Sequence, residues 1–122
     1  NRRQIRVMVL NMNVLHIDGK TIALDKDGFL ENLTDWNEAV ATALAQRDNI
    51  ELTAAHWEVI RALQDFYRQF EHSPPMRVLV KYVKQQLGDD KGTSIYLLQL
   101  FPGSPAKIAA RIAGLPRPAN CL

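Results

Sequence analysis

The sequence predicts a mainly helical α+β domain: a small N-terminal β-hairpin, about five helices and a flexible C-terminal arm. Three observations carry this. Two short β-prone runs flank a glycine-containing turn before residue 30. From Trp36 to Ala113, apolar residues recur at spacings of three and four, the period of a helix buried on one side. Capping residues and prolines then cut that stretch into separate helices.

The elements follow in order. Val14 to Ile17 and Thr21 to Leu24 flank Asp18-Gly19-Lys20, a hairpin with a glycine turn. Asp25-Lys26-Asp27-Gly28 is a second turn, and Phe29-Leu30 adds a third short strand. Its DxDG pattern resembles a calcium loop, but the glutamate such a loop needs further on is missing. Asp35 with Glu38 reads as a capping box for a helix over 36–47, whose stripe is Trp36, Val40, Ala43 and Leu44. Thr53 caps the next, over 54–71, with Trp57, Ile60, Leu63, Phe66, Tyr67 and Phe70 facing inward. Ser73-Pro74-Pro75 stops it and starts a third to about Leu87, lined by Met76, Leu79, Val80, Val83 and Leu87 and closed by Gly88. A fourth covers 93–100. Ser104 caps the fifth with Pro105 at its first position, and Gly114 ends it.

A chain of 122 residues is the size of one domain. It is 47% hydrophobic and 23% charged, enough apolar material for a core without metal or disulfide. Its single cysteine allows no internal disulfide, which fits a reducing, cytoplasmic setting. His16, His56 and His72 are scattered without ligand spacing, so no metal or cofactor is implied. No apolar run approaches the ~18 residues of a membrane span. Arg2, Arg3 and Arg6 precede an apolar stretch, but Asn11, Asn13 and His16 interrupt it and no cleavage site follows. The sequence does not begin with Met, and Met12 stands just before the first strand. Residues 1–13 therefore read as an N-terminal extension, 14–114 as the globular domain and 115–122 as the arm.

Charge is unevenly spread. Residues 14–75 carry five basic and eleven acidic side chains, whereas residues 76–122 carry seven and two. Such a basic third suits anionic partners, or is simply a solvated face. Arg77, Lys81 and Lys84 share one face of the third helix. With the preceding helix they form a helix-turn-helix-like pair, which leaves DNA binding open. Its Ser-Pro-Pro turn lacks the frequent glycine, and Gln85 and Gln86, the only adenine readers, stand at the far end.

The last stretch is Leu115-Pro116-Arg117-Pro118-Ala119-Asn120-Cys121-Leu122. Alternate prolines hold Leu115 and Arg117 extended. The seven residues 115–121 can span ~23 Å at ~3.3 Å each. A thiol at Cys121 is within reach of other proteins. A free thiol is only a few per cent ionised at neutral pH. Arg117 favours the thiolate and the terminal carboxylate opposes it. An incidental exposed cysteine is the alternative.

The motifs then combine into a resemblance. Gly92-Thr-Ser-Ile-Tyr-Leu-Leu-Gln-Leu-Phe-Pro102, Pro105-Ala-Lys107, Ile112-Ala-Gly-Leu-Pro-Arg-Pro118 and Cys121 resemble the TusE/DsrC family, in that order. His56-Trp57-Glu-Val, Asp65-Phe-Tyr67, Ser73-Pro74, and Arg77 with Lys81 match its central pattern. The resemblance covers about residues 14–122. Ser104, Thr93 and Ile95 depart from it at caps and surface positions.

The resemblance implies a helical fold with a hairpin, a mobile arm and a persulfide carried on Cys121. Two-cysteine members have a second cysteine ten positions earlier, where this chain has Arg111. That points to the TusE branch, a cytoplasmic sulfurtransferase in the carrier sense. Its members take sulfur from a TusBCD-like complex and pass it to an MnmA-like thiolase with tRNA, for 2-thiolation of the wobble uridine. Partnership with sulfite reductase or sulfur-oxidation enzymes is the alternative. Arg77, Lys81, Arg111 and Arg117 are candidates to cradle the sulfur anion or meet a partner. Trp57 and Tyr67 are candidates to flank the arm, though their spacing favours the core. His56 reads as structural.

Overall fold

The computed structural model describes residues 13–119. Residues 1–12, most of the expected extension, lie outside the described residues, as do 120–122 and with them Cys121. The described chain forms a two-stranded sheet and five α-helices, the mainly helical α+β fold the sequence predicts.

Strands β1 (Val14–Ile17) and β2 (Lys20–Ala23) pair antiparallel, with Leu15 opposite Ile22 and Ile17 opposite Lys20. Asp18 and Gly19 both take positive φ, 50° and 79°, the two-residue hairpin turn whose twist matches the strands. Leu15 and Ile22 point to the core. The expected third strand is one isolated bridge, Leu24 to Leu30.

Helix α1 (Glu38–Arg47) starts later than its sequence suggests. Asp35 does not cap it. Leu33–Asp35 form a 3-10 turn, and Asn37 is the cap, its Oδ1 accepting from Val40 N–H at 2.9 Å. Trp36 between them is extended, with φ −70° and ψ 137°. That carries its ring off the helix stripe, where Val40, Ala41, Leu44 and Ala45 are buried instead.

Helix α2 (Ala54–Phe70) buries His56, Val59, Ile60, Ala62, Leu63 and Phe66. Phe70, expected inward, is 52% exposed and rests on Phe66 at the helix end. Helix α3 (Met76–Leu87) follows Pro75 and buries Leu79, Tyr82 and Val83. Gly88 closes it. The chain then returns so closely that a Cβ on Gly92 would stand 2.3 Å from the Lys84 Cα. Lys91 in this loop donates to Glu58 on α2 at 2.8 Å, and that hydrogen bond raises its pKa above the ordinary lysine value. Thr93 caps α4 (Ser94–Leu100), accepting from Tyr96 N–H at 3.1 Å.

Helix α5 (Pro105–Ile112) is the hub: it packs against α1, α2, α3 and α4. Its sequence explains why. Ala106, Ala109 and Ala110 are buried and small, so neighbouring helices approach closely, while Ile112 fills the centre. Phe101, Leu44, Ile60, Leu63, Leu79 and Leu97 are fully buried around it. Burying each such side chain contributes about 1.5–3 kcal/mol. No helix among the described residues is long and apolar enough to cross a membrane.

Candidate functional site at the root of the arm

The arm leaves the fold at the end of α5, its best-packed helix. Leu115 N–H donates to Ala110 carbonyl at 2.9 Å and Gly114 N–H to Arg111 carbonyl at 3.2 Å. This pair of bonds is a Schellman cap, which needs a left-handed residue between them. Gly114 supplies it with φ +76°.

The remaining carbonyls of this terminus are also taken. Trp36 Nε1–H donates to Ile112 carbonyl at 2.8 Å, and Gln64 Nε2 to Ala113 carbonyl at 3.0 Å. The Trp36 ring lies so close that a Cβ on Gly114 would stand 2.3 Å from its Cδ1. Two independent constraints therefore select glycine at one position. Together they set the direction in which the chain departs.

The residues beyond Gly114 stay on the body. Leu115 is buried. Ser73 Oγ, itself buried, donates to Pro116 carbonyl at 2.6 Å. Arg117 pairs with Asp27 at 2.6 Å, and Pro118 is fully buried. Residues 115–118, the first half of the expected arm, thus lie against the body. Proline geometry keeps this segment extended, and its burial was not legible because the groove that receives it is made of distant residues.

The four basic candidates separate into two pairs. Arg111 is mostly buried and already matched: its Nη2 bonds both Asp48 carboxylate oxygens at 3.2 and 3.0 Å, and Nη1 donates to Asp27 carbonyl at 3.0 Å. Its guanidinium lies over the Phe29 ring. Arg117 is engaged by Asp27. By contrast, Arg77 and Lys81 are exposed on α3 and form no ion pair among the described residues. Ser73, which holds the arm, stands three residues before the first residue of that helix.

Trp57 and Tyr67 are half-buried and pack on the main core. His56 is structural in detail. Its Nδ1 accepts from the Thr53 backbone N–H at 3.1 Å, and its Nε2 meets Leu100 carbonyl at 2.8 Å. A backbone N–H can only donate and a carbonyl only accept, so the ring carries its proton on Nε2. No local sequence signal marks Asp27, Ser73, Gln64 or Trp36 as contacts of the arm or of its root. Ser73-Pro74 stood among the motif residues, but its partner lies 43 positions away.

Comparisons with known proteins agree with this architecture. The family model described as DsrC like protein matches residues 16–122. The sulfurtransferase TusE homolog of Haemophilus influenzae is 52% identical over 109 residues, covering 89% of this chain and all of that one. Sulfurtransferase TusE of Photorhabdus laumondii is 49% identical over 111 residues, covering 91% of this chain and all of its own. Among solved structures, DsrC of Allochromatium vinosum superposes with TM-score 0.82 at 46% identity, over 90% of this chain and 98% of that one. The oxidized gamma-subunit of dissimilatory sulfite reductase (DsrC) from Archaeoglobus fulgidus does so with TM-score 0.78 at 44% identity, over 89% and 99%. With the helical hub, the capped arm root and a family match reaching residue 122, this chain belongs to the DsrC-like family.

Proposed function

We propose that this chain is a sulfur carrier that holds persulfide sulfur on Cys121 and relays it between proteins. The observation that carries the reading is the arm root. A rigid Schellman-capped helix end launches a proline-braced segment that leads to the lone thiol of the sequence. Half-identical relatives named sulfurtransferase TusE support it.

The chemistry is balanced and needs no cofactor. The Cys121 thiolate attacks the outer sulfur of a donor persulfide. A new S–S bond forms on Cys121, the donor's S–S bond breaks, and the donor leaves as a thiolate. An acceptor thiolate then repeats the exchange and frees Cys121. With one cysteine, the carrier has no resolving thiol of its own. It cannot close an internal disulfide, and the sulfur waits for a partner.

The finer assignment is a TusBCD-like donor and an MnmA-like thiolase bound to tRNA, in the cytoplasm. Arg77 and Lys81, whose charges are unspent among the described residues, are the basic residues offered to those partners. Arg111 and Arg117 serve the fold and the arm root. The second reading, a sulfite-reductase partner, is favoured by the DsrC structures that this fold superposes on. The single thiol argues against their two-cysteine chemistry.

The test is mass spectrometry after incubation with a persulfidated donor protein. The expected result is the mass of one added sulfur atom on Cys121, removed by a reducing thiol and absent in Cys121→Ser. A wild-type chain that gains no sulfur, or a Ser variant that gains as much, defeats the proposal. Co-purification with a sulfite reductase in place of a thiolase promotes the second reading.

A further inference from the structure

The Asp25-Lys26-Asp27-Gly28 turn is the motif that the carrier reading leaves unused. Its first carboxylate is spent on its own backbone: Asp25 Oδ1 accepts from Asp27 N–H at 2.8 Å and from Phe29 N–H at 3.0 Å. Backbone bonds from Asp25 N–H to Phe29 carbonyl and from Gly28 N–H to Asp25 carbonyl close the turn further. This leaves the second carboxylate, Asp27, to meet Arg117 of the arm at 2.6 Å.

The turn is fastened to the body and to the arm at once. Arg111 bonds Asp27 carbonyl on one side and Asp48 on the other. The guanidinium carbons of Arg111 and Arg117 each lie 5.8 Å from the Phe29 ring centroid, within cation–π range. One residue earlier in the arm, Pro116 carbonyl receives the buried Ser73 hydroxyl. One residue later, Pro118 is fully buried.

From this arrangement we infer that the Asp25–Phe29 turn and Ser73 form a two-point clamp on the arm, with Asp27 the positioning residue that sets the reach of Cys121. The inference rests on Cys121 being the sulfur-bearing residue. A tether free from Leu115 has seven residues to Cys121 and spans ~23 Å, whereas one held through Pro118 has three and spans ~10 Å. With the clamp closed, a partner must bring its sulfur atom to the rim of this face. A deeper active site is served only when the clamp opens. Arg117 is 43% exposed, and ion pairs that exposed are weak, so its link to Asp27 is the part that yields first.

The lone cysteine makes the test direct, because a nitroxide label attaches at Cys121 alone. Its electron paramagnetic resonance line shape reports motion on the nanosecond scale of chain segments. The wild-type chain is expected to show a restrained component. Asp27→Asn shortens the rotational correlation time several-fold, whereas Asp27→Glu, which keeps the carboxylate, preserves the restraint. Arg117→Gln, changed on the arm and away from the core, repeats the loosening if Asp27→Asn disturbs folding. Unchanged line shapes in both Asp27→Asn and Arg117→Gln overturn the clamp. So does an Asp27→Glu label as free as that of Asp27→Asn. Label motion is independent of sulfur loading, so a negative result removes the clamp and leaves the carrier reading standing.

Discussion

Gly114 shows how much one missing side chain decides. Its φ of +76° is costly for any residue with a Cβ, by about 1–2 kcal/mol. The Trp36 ring occupies the space a Cβ would need. Gly114→Ala is therefore expected to destabilise the fold by roughly 2–4 kcal/mol, more than the conformational cost alone. Urea denaturation followed by circular dichroism measures it. A loss below the conformational cost would mean that Trp36 moves aside freely. The glycine was legible as a helix stop. The indole beside it was not, because Trp36 lies 78 positions earlier and its own stretch read as helix. Arg111 carries a similar lesson. A basic residue near the arm reads as an anion cradle until Asp48, far away in sequence, is seen to neutralise it.

Element boundaries depend on which side chain reaches the free N–H groups first. Asp35 and Asn37 are both good caps by type. Asn37 wins because the preceding turn uses 33–35 in a 3-10 bend. Between elements, His56 joins the start of α2 to the end of α4 through both ring nitrogens. Its ring also meets Phe101 edge-on at 5.2 Å. His56→Ala removes these bonds and the Thr53 Oγ1 contact to Nδ1 at 2.8 Å, and leaves Leu100 carbonyl without that donor. The expected cost is about 2–3 kcal/mol, from the lost ring hydrogen bonds and their desolvated partners. Hydrogen exchange checks where it falls: amides in the first turn of α2 lose protection, while those of α5 keep it down to global unfolding.

The whole molecule is organised around α5, and the chain beyond it is hydrogen-bonded to the end of that helix at Leu115. Helices α1 to α4 enclose the main core with Phe101 fully buried inside it, while Ala62, Phe66 and Tyr82 form a small second cluster. Phe101→Ala is expected to cost about 3–5 kcal/mol. At roughly 4 °C per kcal/mol for a domain near this size, Tm falls by roughly 12–20 °C. Scanning calorimetry is expected to show one transition, shifted as a unit. Two separate transitions would mean that the hairpin and bundle are not one cooperative core. The uneven charge of the sequence acts at this scale too. Its basic third leaves Arg77, Lys81 and Lys84 exposed on α3.

By itself the sequence determined the helical class, the hairpin, five helices in order and the lone thiol on a proline-braced segment. These are local properties: period, caps, prolines and one residue count. Only the tertiary structure decided where the arm root lies, which arginines are spent and what the Asp25–Phe29 turn holds. Those depend on carboxylates, a serine and an indole that chain folding brings together from positions tens of residues apart. Periodicity places a side chain on a face, but it carries no record of what that face meets.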